Sequence, residues 1–163
     1  MPITIRTFRS DDLPRLKEIT VEAFSGVSID QNAHKLFGEI NGHDWRWRKG
    51  RHLDDDAEAD PAGIFVAEDN GKVVGYITTW IDREAGIGNI PNLALDADSR
   101  GQGLGRKLIE HALDHFRREK VPYAKIETLD QNPVGYHLYT SIGFREVARQ
   151  VHFLMPLAEA AEE

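Results

Sequence analysis

The residue types most suited to chemistry stand together in one glycine-rich segment, Arg100-Gly101-Gln102-Gly103-Leu104-Gly105. Glycines let a backbone approach a ligand closely and take conformations that other residues avoid. The segment precedes a stretch with helical apolar spacing, and the first N–H groups of a helix favour anions. Arg106 and Lys107 follow and, with Arg100, add cationic donors. The pattern therefore predicts a site for phosphate or pyrophosphate that is built largely from backbone.

Two common phosphate motifs do not match this segment. A dinucleotide fingerprint reads Gly-x-Gly-x-x-Gly, whereas the glycines here occupy positions 101, 103 and 105. A P-loop requires Lys and then Ser or Thr after its last glycine, whereas Arg106, Lys107 and Leu108 follow here. A nucleotide or dinucleotide enzyme is therefore the weakest functional alternative. A glycine-rich turn that serves only tight packing is the non-functional one.

The elements that must position this segment are predicted from hydropathy periods. Apolar residues from Leu104 to Phe116 recur at helical spacing and predict an amphipathic helix directly after it. Asn70-Gly71 lies between two β-rich runs and predicts a hairpin, and a further strand over 87–95 completes an antiparallel meander. The other predicted elements are strands near 3–8, 123–129, 144–147 and 151–155, helices over 13–24, 32–49 and 134–141, and an exposed loop over 53–61.

Two clusters in this order resemble the GCN5-related N-acetyltransferase (GNAT) family. Residues 100–105 are similar to its Arg/Gln-x-x-Gly-x-Gly/Ala motif, and they follow residues 92–95, Asn-Leu-Ala-Leu, which resemble the end of its central strand. The second cluster is similar to a family pattern of Asn, a small residue, Tyr and Gly-Phe, and consists of Asn132, Gly135, Tyr139 and Gly143-Phe144. The order of the predicted strands and helices is similar too, so the resemblance extends over nearly the whole chain.

The resemblance implies an α+β fold of three layers. Its mixed, mostly antiparallel sheet would have roughly six to seven strands, about four flanking helices and a splayed central strand. The fold would cover residues 1–163 as a single domain, in which the segment 27–60 supplies a helix and loop of the acceptor site. In the family a bulge splays the central strand from its neighbour. The pantetheine arm of coenzyme A then pairs with backbone in the gap, like an added strand.

The resemblance further implies an acetyl-CoA-dependent N-acetyltransferase, whose acceptor is a primary amine of a small molecule or a peptide. The Leu95 N–H would polarise the thioester carbonyl, and Tyr139 would protonate the departing thiolate, because a phenol is protonated at neutral pH. Tyr136 is a rival for that role, and a core aromatic is the other interpretation of Tyr139. The implied cofactor-binding residues are Leu93, Ala94, Leu95, Arg100, Gly101, Gln102, Gly103, Leu104, Gly105, Arg106, Asn132 and Tyr139.

The base that removes the proton from the amine is not fixed by the resemblance. Some family members carry a glutamate on the central strand, where residues 89–92 here read Asn-Ile-Pro-Asn. Asp82, Glu84, Glu127 and His137 are substitutes, and Glu127 ranks first because it lies on the strand expected beside the splayed one. A water molecule alone is the alternative. An acyl-CoA binding or sensing module, which keeps the site without turnover, is the alternative function.

Composition and charge restrict the remaining classes. The net charge of −7 argues against a general nucleic-acid binder. The basic and aromatic residues 45–52 therefore favour either tryptophan packing or acceptor specificity over nucleic-acid recognition. The chain has no cysteine, no run apolar enough to span a membrane and no metal motif among its seven histidines. With no secretory pattern at its start, we expect a cytoplasmic protein without a metal; homodimers, frequent in the family, are a further option.

Overall fold

The structure is a computed structural model that describes residues 2–157. Within them, seven strands and five α-helices follow one another along the chain. The strands are β1 (Thr4–Thr7), β2 (Phe65–Asp69), β3 (Lys72–Ile77), β4 (Trp80–Asp82), β5 (Ile87–Ile90), β6 (Leu93–Leu95) and β7 (Tyr123–Ile126). The helices are α1 (Leu13–Ala23), α2 (Ile29–Phe37), α3 (Trp45–Ala59), α4 (Leu104–Arg118) and α5 (Pro133–Ile142). None of these described helices is long and apolar enough to cross a membrane.

The strands form two sheets. The first has the order β1-β2-β3-β6 and is antiparallel throughout. The second has the order β4-β5-β7, with β7 parallel to β5. Asn70 and Gly71 take φ angles of 54° and 78°, so β2 and β3 are joined by the two-residue hairpin that the sequence predicts. The mixed, mostly antiparallel arrangement confirms the expected fold class.

The strand predicted over 87–95 is divided at Pro91 and Asn92. β5 pairs with β4 and β7, whereas β6 pairs with β3. Pro91 has no N–H to donate to a ladder, and the Asn92 N–H donates to Thr78 Oγ1 at 3.0 Å. The chain therefore leaves one sheet and enters the other at these two residues. Thr78 and Thr79 make the matching break between β3 and β4.

Helices cover both faces of the first sheet. Period-2 alternation sends Val66 toward α1 and α3, and its neighbour Phe65 toward α4. On β6, Ala94 faces α1 and α3, whereas Leu93 and Leu95 pack on the α4 side. The buried cluster of α1 and α3 contains Leu16, Ile19, Leu53, Ile64, Val66, Val73, Tyr76 and Ala94. The buried cluster of α4 contains Phe65, Ala67, Val74, Ile77, Ile90, Leu104, Leu108, Ile109, Ala112 and Phe116.

The helix predicted over 32–49 is two helices in the structure. α2 ends where Gly38 takes a φ of 76°, a conformation that favours glycine. Asp44 then begins α3 as its N-cap, because its side chain accepts the Trp47 N–H at 3.1 Å. The prediction of one continuous helix is therefore wrong, since apolar periodicity does not by itself show the break.

The loop predicted over 53–61 is also wrong, because α3 continues to Ala59. Consecutive aspartates indicated a loop by their composition. In the structure Asp54 and Asp55 lie on the solvent face, and Lys17 Nζ lies 2.9 Å from Asp54 Oδ2. Asp56, one residue further along the helix, is half-buried against the sheet.

The two strands predicted near 144–147 and 151–155 are absent from the described part of the chain. Residues 144–157 have no regular secondary structure, and Val147 and Phe153 are 94% and 92% exposed. Alternating apolar residues indicated strands, but a strand also needs partners for its N–H and C=O groups. Within residues 2–157, β7 has a partner on one side alone, which is β5. The last residues, 158–163, lie outside the described range.

Gly88 on β5 allows α4 to approach the second sheet closely. A Cβ at this position would lie 2.5 Å from Phe116 Cδ1, inside van der Waals contact. We expect Gly88→Ala to lower the free energy of unfolding by about 1–3 kcal/mol, because the buried ring must move. Urea unfolding midpoints measure the change.

Gly50 on α3 is the matched control for Gly88. A Cβ there would meet only the flexible Lys17 side chain, at 3.9 Å. We expect Gly50→Ala to raise the free energy of unfolding by about 0.5–1 kcal/mol, because alanine favours a helix interior. Equal effects of the two substitutions would contradict the close packing of β5 and α4.

Candidate functional site

A gap opens between β6 and the chain that follows β7. The parallel pairing of β5 with β7 ends at the partners Ile90 and Ile126. Beyond them, β6 pairs with β3, and the described residues after Ile126 join no sheet. The strands therefore diverge after a common start, which is the splayed arrangement that the resemblance implies. We call the space between Leu93–Leu95 and residues 127–129 the strand gap.

The ladder between β6 and β3 decides which backbone groups face the strand gap. The Asn92 carbonyl accepts the N–H of Thr78, directly after β3, at 2.9 Å, and the Asp96 N–H donates to the Val74 carbonyl of β3 at 2.8 Å. Antiparallel strands alternate between residues bonded to the partner strand and residues pointing away from it. Ala94 therefore pairs with β3, whereas the N–H and C=O groups of Leu93 and Leu95 point into the gap.

A row of free amides lies next to this gap, at the start of α4. Gly101 and Gly103 take φ angles of 76° and 79°, and a Cβ on either would meet no atom within 4 Å. The first N–H with an acceptor is that of Lys107, which donates to Gly103 O at 3.1 Å. Within the described residues, the N–H groups of residues 101–106 have no protein acceptor. We call these six groups the amide cradle, and their number and direction suit a pyrophosphate.

Two arginine side chains frame the amide cradle. Arg100 Nη2 donates to the Leu95 carbonyl at 3.2 Å, so this side chain lies at the mouth of the strand gap. Arg106 Nη2 donates to Ser141 Oγ at 2.6 Å and thereby ties α4 to α5. A Cβ on Gly105 would lie 3.5 Å from Leu138 and 3.8 Å from Leu95. The start of α4, the end of β6 and the middle of α5 therefore meet at one place.

Asn132 begins α5 and links it to the chain after β7. Its Oδ1 accepts the Gly135 N–H at 3.2 Å, and its Nδ2 donates to Thr128 Oγ1 at 2.9 Å. A Cβ on Gly135 would lie 2.8 Å from that Nδ2, so this close turn needs glycine. The Asn132 side chain thus serves as a helix cap and retains one amide hydrogen. Its predicted contact with a ligand stays a prediction.

Tyr139 lies on the inner side of α5. Its ring packs edge-on against Phe144, with 6.3 Å between the centroids. Burial raises the pKa of Tyr139 to about 12, so its phenol is protonated at neutral pH. In contrast, Tyr136 is exposed, and its hydroxyl donates to Glu146 Oε1 at 2.9 Å. The structure therefore distinguishes the two tyrosines by burial.

The four candidate bases that could replace the missing central-strand carboxylate lie in different parts of the structure. Asp82 accepts the Ala85 N–H at 3.0 Å in the turn after β4, and Glu84 is exposed in the same turn. His137 is exposed on α5. Glu127 is exposed just beyond β7, at the edge of the strand gap. Glu127 is thus the member of this set that the structure brings to the gap.

A buried polar cluster lies at the sheet junction, and the sequence pattern does not predict it. Asn92 is its centre: its Oδ1 accepts from Lys49 Nζ at 3.2 Å, and its Nδ2 donates to Asp56 Oδ2 at 2.6 Å. Burial lowers the pKa of Lys49 and raises that of Asp56. The spacing of Lys49 and Asp56 equals two helical turns, but the loop predicted over 53–61 concealed it.

The two tryptophans of α3 have different roles. Trp45 is buried, in agreement with packing as its function. Trp47 is 45% exposed, stacks on His43 at 3.4 Å between centroids, and has the Arg51 guanidinium 4.8 Å from its ring.

In the described part of the chain, no group of three or more histidine or carboxylate side chains is arranged to hold a metal ion.

A strand gap with free backbone groups beside an amide cradle defines a class of protein. Such a site holds an extended ligand by strand addition and its diphosphate by helix amides, as coenzyme A requires. The sequence profile of the Acetyltransferase (GNAT) family matches residues 19–144, and the chain belongs to this family. The family takes acetyl-CoA as its acyl donor.

Curated and solved proteins agree with this assignment. The mycothiol acetyltransferase of Thermomonospora curvata is 33% identical over 97 residues, which cover 60% of this chain and 32% of that protein. The chain thus spans about a third of the length of that relative. PH1933 from Pyrococcus horikoshii has a TM-score of 0.72 at 22% identity, covering 92% of this chain and 93% of its own. The PaiA N-acetyltransferase from Thermoplasma acidophilum, in complex with coenzyme A, has a TM-score of 0.71 at 19% identity, covering 89% and 91%. Both structures show likeness of fold.

Gly103 tests the amide cradle. Its φ of 79° strains any L-residue, so Gly103→Ala should turn the neighbouring amides and raise the Kd for coenzyme A about tenfold. Gly105→Ala is the control, because its Cβ makes ordinary contacts and its N–H direction is unchanged. Calorimetric titration measures both constants. Equal affinity in the two variants would contradict a cradle that depends on the left-handed glycine.

Proposed function

We propose that the chain is an acetyl-CoA-dependent N-acetyltransferase that acetylates a primary amine of a small molecule or a peptide by direct attack on the thioester. The observation that carries this proposal is the adjacency of the strand gap and the amide cradle. Membership of the acetyltransferase family supports it as well. The cytoplasm is the compartment in which we expect this reaction.

The backbone geometry supports the donor half of the proposed reaction. With the pyrophosphate on the amide cradle, the pantetheine arm extends into the strand gap and pairs with Leu93 and Leu95. The Leu95 N–H then donates to the thioester carbonyl and stabilises the negative charge that forms on its oxygen during attack. Because this N–H is fixed by the ladder to β3, it needs no reorganisation during the reaction.

The bond changes require proton transfers at the amine nitrogen and at the sulfur. The neutral amine attacks the carbonyl carbon, a C–N bond forms, and the C–S bond breaks to release a thiolate. Tyr139 gives its proton to that thiolate, the acylated nitrogen loses its excess proton to solvent, and solvent restores the phenol. The amine must first lose a proton, and this removal is assigned by sequence to Glu127 or to water, since an alkylammonium has a pKa of about 10.4.

The segment 27–60 is proposed to border the acceptor side. Asn32 Nδ2 donates to Gln131 Oε1 at 2.8 Å, and Gln131 Nε2 donates to Gly26 O at 2.7 Å. These bonds connect α2 and the residues before it to the loop between β7 and α5. That loop borders the strand gap. Small-molecule amines deserve early testing, because the relatives named mycothiol acetyltransferase are similar to this chain.

Tyr139→Phe tests the proposed reaction. Removing the hydroxyl should lower kcat by about 10²–10⁴, because general acid catalysis of thiolate departure is lost. The Kd for coenzyme A should stay close to that of the unsubstituted protein. Free-thiol release with a panel of amines, polyamines, amino acids and peptides measures turnover.

Tyr136→Phe is the matched substitution. Its hydroxyl bonds to Glu146 on the surface, so we expect turnover near the original rate. Loss of turnover in Tyr136→Phe instead of Tyr139→Phe would contradict the assignment. Tight coenzyme A binding without transfer to any amine would favour the acyl-CoA binding or sensing module over the enzyme.

A further inference from the structure

We propose that Asp56 is the base that takes the proton from the acceptor ammonium, an inference that rests on the proposed acetyl transfer. Asp56 belongs to α3, yet its carboxylate contacts the junction between β5 and β6 through the 2.6 Å bond from Asn92 Nδ2. Residues 89–92 of the central strand contain no carboxylate, and Asp56 of α3 places one beside them.

The position of Asp56 fits the direction from which an amine must arrive. The amide cradle stands at the start of α4, so the donor enters the strand gap from the α4 face of the sheet. The amine must approach the carbonyl from the other face. Asn92 and Ala94 point their side chains to that other face, where α1 and α3 pack, and Asp56 lies there with Asn92.

Neutral groups form the hydrogen bonds to the Asp56 carboxylate, and Lys49 does not form a direct ion pair with it. Its hydrogen-bond donor is the amide of Asn92, and the hydroxyl of Thr78 also lowers its pKa. The charged or titratable groups that act on it are Lys49 and His52 of α3 and the buried Tyr76 of β3, whereas Asp30 of α2 acts on Lys49 and His52, and the exposed Asp55 acts on His52. Lys49 Nζ bonds to Asn92 rather than to Asp56. Asn92 therefore separates the cation from the carboxylate and orients both.

Burial gives Asp56 a suitable basicity. Desolvation is the largest influence on its pKa and raises it, while the bonds from Asn92 and Thr78 and the charges of His52 and Lys49 act in the opposite direction. A carboxylate with a raised pKa accepts a proton from an ammonium more readily than an ordinary one does. Asp56 is also half-buried, so water can carry the proton away after the reaction.

The proposed step is balanced. One N–H bond of the ammonium breaks, its proton moves to an oxygen of Asp56, and the nitrogen lone pair then attacks the thioester carbon. As the C–S bond breaks, the nitrogen loses its second proton to solvent, and the thiolate receives a proton from Tyr139, whose phenol is then restored from solvent. Asp56 afterwards releases its proton to solvent and the net change is acetyl transfer with one proton liberated.

Two kinds of acceptor separate a base from a structural residue. An alkylamine is protonated at pH 7 and needs a base, whereas an arylhydrazine, a weaker base, is largely unprotonated and does not. We expect Asp56→Asn to lower kcat/KM at pH 7 about 10²–10³-fold with the alkylamine and less than about tenfold with the arylhydrazine. Binding of coenzyme A should be unchanged and serves as the check of folding. If Asp56→Asn does not fold, Asp56→Ser provides the same comparison.

Asp55→Asn and Glu127→Gln complete the design. Asp55 is the exposed neighbour on α3, so its substitution should leave both rates unchanged. Equal losses with the two amines in the Asp56 variant would mean a structural role and would overturn the inference. So would full activity of that variant with the alkylamine, or a selective loss in Glu127→Gln alone. If the unsubstituted protein acetylates neither amine nor any other, the proposed function itself fails.

Discussion

The hydrogen bonds that fix Asn92 determine where the two sheets part. Its backbone bonds on both sides to Thr78, and its side chain is held between Lys49 and Asp56. Pro91, directly before it, has no N–H with which to continue a ladder. β6 therefore stays with β3 while β7 stays with β5, and the backbone beyond that point must open. The strand gap is a consequence of this one junction.

The rest of the site is assembled against that opening by close packing. Gly88 admits the ring of Phe116 and so sets α4 against the second sheet. Leu138 packs beside Gly105, which brings α5 to the start of α4. The amide cradle and α5 therefore reach their positions through packing of the scaffold. Hydrogen bonds such as that from Arg106 to Ser141 then fix their mutual position.

The sequence was sufficient for the parts of the molecule that depend on local chemistry. Asn70-Gly71 specified its hairpin, the apolar stripe after Leu104 specified α4, and the two motif clusters specified the fold class. The acceptor side was not predictable in the same way. Asp56 stands in a run of aspartates that indicates a loop by composition, and only Leu53 and the cap at Asp44 show the helix that carries it.

The misplaced closing strands have a related cause. Alternation of apolar residues is a local property, whereas a strand exists by pairing with another strand. Residues 144–157 have the alternation, but the described structure gives them no partner. The polar cluster at Asn92 is likewise non-local, since it joins α3 to residues more than 30 positions away. Contacts of this kind become visible when the fold is known.

Amide hydrogen exchange of β6 tests the strand gap most directly. In the free protein, the Leu93 and Leu95 amides should exchange rapidly, while Ala94, which is bonded to β3, should be protected and serve as an internal reference. Addition of coenzyme A should protect Leu93 and Leu95 together with residues 101–106. Protection of residues 101–106 alone, or Leu93 and Leu95 amides that are already protected in the free protein, would contradict a ligand that pairs with the splayed strand.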